Sequence, residues 1–189
     1  MSIDIAALKR RCKPERQVRQ FVRRSGEALV SAASATGLRR VLVDTTVYIH
    51  EVAGTLPADA TRLLDGALRF HSAFCIAEIV SSLCDLHPGS RYFDPAREYY
   101  RRLFSSISRH RLLTPDADIL AQAAVVSGTL ARTQGYARRD RKELFNDAVI
   151  YLTAARLGVP LLTANRDDFD LIQQAAEWGM FIYYVAADQ

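Results

Sequence analysis

Apolar residues along this chain gather in two kinds of run. Some runs are short, unbroken and rich in β-branched residues. Others recur every three or four positions. The first kind marks buried strands and the second marks amphipathic helices. VLVD at 41–44, FHSAFC at 70–75, Leu112-Leu113, the stretch 160–163 and MFIYYV at 180–185 are of the first kind. Helical spacing fills 58–69, 76–86, 94–108, the stretch from Thr114 to about Arg132, 143–157, and NRDDFDLIQQAAE at 165–177. The helix ends carry matching punctuation. Thr114-Pro115-Asp116 offers a capping hydroxyl, a first-turn proline and an acid at the positive helix end, while Gly158 and Pro160 stop the helix 143–157. Ahead of the first strand, residues 14–36 read as one more helix. Pro14 suits its first turn, Val18, Phe21, Val22, Leu29 and Val30 line one face, and Gly37 ends it, with Gly26 as the dissenting position. The alternation of short apolar strands with helices implies an α/β fold, a parallel sheet covered on both faces.

Length and charge refine that picture. A chain of 189 residues is one domain, or one domain with an appendage. The net charge of +4 is unevenly spread: residues 1–40 hold ten Lys/Arg against three Asp/Glu, and residues 41–189 hold the remaining fifteen against eighteen. This divides the chain into a basic N-terminal helical extension, 1–40, and a mildly acidic body, 41–189. Basic arms often meet phosphate backbones, and a solvated helix face is the plain alternative. Two further basic clusters run from Arg91 to Arg111 and from Arg138 to Lys142. The first interleaves arginines with aromatics in RYFDPAREYYRRLF, a composition that suits stacked bases. Tyr99, Tyr100, Leu103 and Phe104 also fall at helical spacing, so some of them are expected to pack inward, and helix 94–108 is a candidate partner surface.

No apolar run approaches the roughly 18 residues of a membrane span. The start MSIDIAALKRRCK sets an acid before its apolar stretch and the basic cluster after it, the reverse of a secretory signal. Three cysteines, Cys12, Cys75 and Cys84, lack CxxC spacing, which argues for a reducing cytoplasm and against a zinc or disulfide framework. There is no G-x-S-x-G elbow, G-x-G-x-x-G turn or Walker loop, so serine acylation, hydride transfer and ATP hydrolysis find no support.

The informative residues are acids near strand ends, where open α/β sheets bind ligands. Asp44 directly follows VLV, Glu78 follows the second strand, Asp147 lies early in the helix 143–157, and Asp168 follows PLLT with Asn165 between. Each has a plain reading: an N-cap for Asp44, early-helix acids for Glu78 and Asp147, a weak capping box for Asn165 and Asp168. Four carboxylates from four segments on one rim would repel one another. A hard cation with oxygen ligands, Mg²⁺ or Mn²⁺, offsets that repulsion and promotes phosphodiester cleavage.

These segments resemble the PIN-domain family, in particular its small VapC-type toxin ribonucleases. VLVDTTVYI is similar to the family's D-x-[ST] opening, with Asp44 as first acid and Thr46 as the supporting hydroxyl. HSAFCIAEIVSSL resembles the second motif and places its acid at Glu78. NDAVIYLTAARLGVPLLTANRDDF resembles the third and fourth motifs, with Asp147 in the third acidic position and Thr163, Asn165, Asp168 and Phe169 fitting T-x-N-x-x-D-F. The likeness covers about residues 41–185, and the first 40 residues depart from it. It implies a three-layer α/β/α fold with a central parallel sheet of four to five strands. It also implies a metal-dependent endoribonuclease, frequent homodimers and, for the toxins, a cognate antitoxin protein. Asp44, Glu78 and Asp147 would anchor one Mg²⁺ or Mn²⁺. Asp168 would stand outside them or help hold a second ion, and Thr46 and Asn165 would orient carboxylates and water. Three other functions stay open: an RNA-processing nuclease without an antitoxin, a non-catalytic RNA-binding module on the same scaffold, and a small-molecule phosphohydrolase.

Overall fold

The computed structural model describes residues 5–186. The outermost residues of the two segments drawn above, 1–4 and 187–189, lie outside the described residues. Five strands form one parallel sheet: β1 (Arg40–Val43), β2 (Leu68–Ser72), β3 (Leu112–Leu113), β4 (Leu161–Thr163) and β5 (Phe181–Tyr183), in the spatial order β3-β2-β1-β4-β5. The central strands are apolar on both faces, as a covered parallel sheet requires: Val41, Leu42, Val43, Leu161 and Leu162 are all buried.

Helices fill the connections. After β1 come α2 (Thr45–Ala53) and α3 (Ala58–Gly66), and after β2 come α4 (Ala73–Asp85) and α5 (Phe93–Ser106). After β3 come α6 (Ala117–Gln134) and α7 (Arg141–Leu157), and α8 (Arg166–Ala175) joins β4 to β5. The chain winds outward from β1 to β3, then crosses back and winds the other way from β4 to β5. Right-handed crossovers therefore put the two helix sets on opposite faces. Packing of α2 with α4 and α4 with α5 on one side, and among α6, α7 and α8 on the other, gives the three-layer α/β/α fold. The reversal falls between β1 and β4, where the carboxyl ends of two neighbouring strands open a crevice.

The N-terminal segment departs from expectation. The helix expected over 14–36 is absent: two 3-10 turns, Pro14–Arg16 and Gly26–Ala28, interrupt an extended path, and the helix of this region is α1 (Ile5–Cys12). The apolar stripe behind that expectation is split, since Phe21 and Leu29 pack against the core while Val18 and Val22 are 76% and 80% exposed. The segment instead satisfies its backbone against β5. The Tyr183 N–H donates to the Val30 carbonyl at 3.0 Å and the Ala32 N–H donates to the Tyr183 carbonyl at 2.8 Å, so residues 30–32 cover a free sheet edge.

The first strand, expected over 41–44, spans Arg40–Val43, and Thr45 begins α2, because Asp44 takes its N-cap role. The β-branched and aromatic residues of TTVYI look like strand continuation. They serve a helix whose Val47 and Tyr48 are buried. Elsewhere α4 starts at Ala73, just after the end of β2, and α7 starts two residues ahead of 143. Asp116, rather than Thr114, caps α6, accepting from the Ile119 N–H at 2.8 Å. Among the described residues, no helix is long and apolar enough to cross a membrane.

Candidate active site

The crevice between β1 and β4 is built from helix starts. Asp44 ends β1 and is 3% exposed. Its Oδ2 accepts from the Thr46 hydroxyl at 2.7 Å, the Thr163 hydroxyl at 2.7 Å and the Thr46 N–H at 3.4 Å. Asp44 is thus a helix cap and also the first acid of the crevice. Thr46 couples the two strands, because its hydroxyl oxygen accepts from the Ala164 N–H at 3.0 Å.

Glu78 reaches in from α4, and its two oxygens are held separately. Oε2 accepts from the Thr45 hydroxyl at 2.5 Å and Oε1 from the Asn146 amide at 2.7 Å. That second bond ties α4 to α7 across the top of the sheet. Asp147 follows Asn146 and lies in the second turn of α7 rather than its first, since the helix begins at Arg141. Asn165 caps α8, and its amide donates to Asp147 Oδ2 at 3.1 Å and to Asp168 Oδ2 at 3.2 Å. The Tyr136 hydroxyl, from the loop before α7, donates to Asp168 Oδ1 at 2.6 Å.

The six residues singled out in the sequence therefore meet at one place: Asp44, Thr46, Glu78, Asp147, Asn165 and Asp168. Thr163, which opens the T-x-N pattern, joins them, and three further supporting residues did not stand out from the sequence. Thr45 and Asn146 adjoin two of the acids, so adjacency was the available signal. Nothing in the sequence points to Tyr136, because only the fold brings residues 136 and 168 together.

The electrostatics are one-sided. Among the described residues, every side chain that donates to these carboxylates is neutral: Thr45, Thr46, Thr163, Tyr136, Asn146 and Asn165. Burial pushes the Asp147 carboxyl well above the usual range, and the charges of Asp44, Asp168, Glu78 and Glu143 push it further. Burial also raises Asp44, against the lowering effect of its threonine bonds. It raises Glu78 against its bonds from Thr45 and Asn146. Asp147 thus feels the charge of the other three acids, and its hydrogen bond does not offset that repulsion.

Among the described residues, no group of three or more His, Cys, Asp or Glu side chains lies in an array ready to hold an ion. The carboxylates are turned to threonine, asparagine and tyrosine, and Asn165 sits between Asp147 and Asp168. The chemistry of the donor set nevertheless fits a hard divalent cation: four carboxylates, hydroxyls and amide oxygens, with no imidazole bonded to any of them. His50, the histidine nearest Asp44 in sequence, bonds to the Tyr184 hydroxyl at 2.9 Å. Cys75 is buried, with its thiol on the Val43 carbonyl at 3.6 Å.

A family profile for the PIN domain matches residues 2–174. The chain belongs to the PIN-domain family. The PIN match begins ahead of β1 and ends in α8, so it takes in the basic segment from residue 2 as well as β1 to β4. The sequence matches no curated protein at a significant level. Solved structures share the PIN fold. VapBC2 from Rickettsia felis, bound to a DNA fragment from their promoter, aligns with a TM-score of 0.53 at 12% identity, over 78% of this chain and 99% of that one. FitAcB from Neisseria gonorrhoeae aligns with a TM-score of 0.52 at 22% identity, over 75% of this chain and 96% of that one. FitAB bound to an IR36 DNA fragment aligns with a TM-score of 0.50 at 22% identity, over 76% and 94%.

Proposed function

We propose that this PIN-domain chain is a divalent-cation-dependent endoribonuclease that hydrolyses RNA phosphodiester bonds, acting as the toxin of a type II toxin–antitoxin pair. The observation that carries the nuclease reading is Asp147, a carboxyl raised by burial and by four neighbouring acids and bonded, among the described residues, by a neutral amide. Such a cluster is costly unless a cation joins it. Asp44, Glu78 and Asp147 would hold Mg²⁺ or Mn²⁺, with Asp168 beside them. The bound ion supplies Lewis-acid polarisation of the phosphodiester and a more acidic water.

The residues around the acids have distinct tasks in this reading. Thr46 and Thr163 fix the rotamer of Asp44. Thr45 and Asn146 fix Glu78 so that α4 and α7 present their acids together. Asn165 sets the spacing of Asp147 and Asp168, and Tyr136 holds Asp168 from the outer side. Such supporting bonds commonly change cation affinity or activity by about 10–100-fold.

Likeness to VapBC2 and FitAB supports the toxin assignment and with it a cognate antitoxin, and a homodimer belongs to the same reading. The basic segment 1–40 is read as an extension of a nuclease body, 41–189. A cytoplasmic location accords with the cysteines, since Cys75 and Cys84 are free thiols. The test is cleavage of RNA with and without a chelator, together with expression in a host lacking the neighbouring genes. Cation-dependent cleavage with growth arrest supports the whole proposal. Cleavage without arrest leaves an RNA-processing nuclease, and binding without cleavage leaves a non-catalytic RNA-binding module.

A further inference from the structure

We propose that the cavity between β2, α2 and α5 is a binding site for a phosphate group, held by Arg111 and His71 and carried either by inorganic phosphate or by the phosphate monoester at the end of a strand. The site is separate from the acid crevice and does not depend on the nuclease reading.

The cavity has a volume of about 170 Å³. Strand β2 supplies Arg69 and His71, which are two residues apart and so stand on the same face of the strand. Tyr48 and Glu51 come from α2, and the exposed Ser106 marks the side of α5. Arg111 ends the 3-10 turn Arg109–Arg111 just ahead of β3. The next residue, Leu112, pairs with His71 in the sheet, so Arg111 enters beside that histidine. None of the four crevice acids lines the cavity.

Two donors in this cavity lack acceptors. Glu51, its one acid, is engaged on both oxygens: Oε1 accepts from Arg69 Nη1 at 2.7 Å and Oε2 from the Tyr99 hydroxyl at 3.2 Å. Arg111 has no such partner. Its Nε donates to Ser108 Oγ at 2.8 Å, and among the described residues no carboxylate pairs with its half-buried guanidinium. His71 is 5% exposed, and its Nδ1 lies 2.6 Å from the hydroxyl of the fully buried Tyr48. Burial, with Arg111 and Arg69 nearby, lowers His71 to about 4, so the ring is neutral at neutral pH. A buried phenol needs an acceptor, and a neutral imidazole offers one bare nitrogen. Nδ1 therefore accepts from Tyr48 and Nε2 carries the proton. Among the described residues Nε2 has no partner, which leaves its N–H to the cavity.

A surplus positive charge and an unmet N–H call for a guest that is negative and only accepts. Leaving both groups unmet costs free energy, and an anion removes both costs. Size narrows the choice. At about 30 Å³ for each water the cavity equals five or six waters, well below the roughly 300–1,000 Å³ of a drug-sized pocket. One phosphate group fits and a nucleoside does not. Shape narrows it further. The donors come from different walls, and the oxygens of a tetrahedral phosphate diverge to meet them, whereas those of a carboxylate share one plane. Guanidinium forks suit phosphate oxygens.

The test is titration of the full chain with inorganic phosphate, in chelator and at constant ionic strength, read by thermal shift and by the histidine side-chain NMR spectrum. Phosphate is expected to raise the melting temperature saturably and to move the Nε2–H resonance of His71 but not those of His87 and His110. Arg111→Ala is expected to weaken phosphate binding about tenfold, the loss of one charge-assisted contact. Arg109→Ala removes the same charge from the same turn, outside the cavity, and is expected to leave binding unchanged. A trinucleotide with a terminal phosphate that displaces inorganic phosphate, where its hydroxyl-ended counterpart does not, supports the site with a strand end as its guest. Binding of inorganic phosphate alone supports it with the free ion. Three results overturn the proposal: a His71 resonance that phosphate does not move, acetate binding as tightly as phosphate, or equal phosphate affinity in Arg111→Ala and the parent. Each of them leaves the nuclease reading in place.

Discussion

Asp147 concentrates the physics of the site in one side chain. Its carboxyl is raised by burial and by like charge, so ionising it costs the folded state free energy. Asp147→Asn keeps an oxygen able to accept from Asn165 and removes the charge. The account predicts that this variant melts higher than the parent in chelator, by about 2–4 °C for each kcal/mol of repulsion removed, while RNA cleavage is lost. Differential scanning calorimetry beside a cleavage assay checks both. Thr163→Val makes the contrasting case. It deletes a buried hydroxyl that donates to Asp44 at 2.7 Å and accepts from the Asn165 N–H at 2.9 Å. It should cost about 1–3 kcal/mol in chemical denaturation and also lower activity, because the lost bonds leave buried groups unpaired.

Elements were legible in proportion to how local their causes are. Helices α6, α7 and α8 announced themselves through caps, glycine stops and periodicity, and β4 and β5 through short apolar runs. Helix α2 did not, because TTVYI has strand-like residues and the deciding feature is the capping bond of Asp44. The helix expected over 14–36 failed for a tertiary reason: Asp170, Tyr183 and Arg132 bind this stretch in extended form. The acids could be read because motif spacing marks them, whereas Tyr136 depends on a contact 32 residues long that spacing does not show. Gly179, before β5, likewise answers to packing. A Cβ there would stand 2.8 Å from the Tyr151 ring and 2.9 Å from Ala155 Cβ, on the side of α7. Gly179→Ala is expected to destabilise by about 1–3 kcal/mol through overpacking, measured by urea unfolding.

At the scale of the whole molecule, the buried acids and a buried histidine pull stability in opposite directions with pH. Asp44, Glu78 and Asp147 hold their protons longer folded than unfolded, so the stability they lend is complete below about pH 4, the ordinary carboxylate range, and is lost as pH rises through their raised values. His71 behaves oppositely. Burial, with Arg111 and Arg69 nearby, lowers it to about 4 from 6.5, so its contribution is present above pH 6.5 and is lost as pH falls through about 4. In chelator the melting temperature should therefore fall as pH rises through the raised carboxyl values. Asp147→Asn should lessen that fall, and saturating Mg²⁺ or Mn²⁺ should lessen it by binding the ionised acids. Cation at about 100 times its dissociation constant stabilises a folded state by about 2.7 kcal/mol, which a thermal shift series across pH would reveal.

Asp44, Glu78 and Asp147, from three separate segments, are expected to take up one cation at the carboxyl edge of β1 and β4, with Asp168 beside them. Anomalous diffraction from a crystal soaked in manganese tests it most directly. The account predicts a manganese peak with carboxylate oxygens of Asp44, Glu78 and Asp147 within about 2.0–2.6 Å, and the Asn165 amide displaced from Asp147. A crevice without manganese, its acids still bonded to threonine and asparagine, would contradict it.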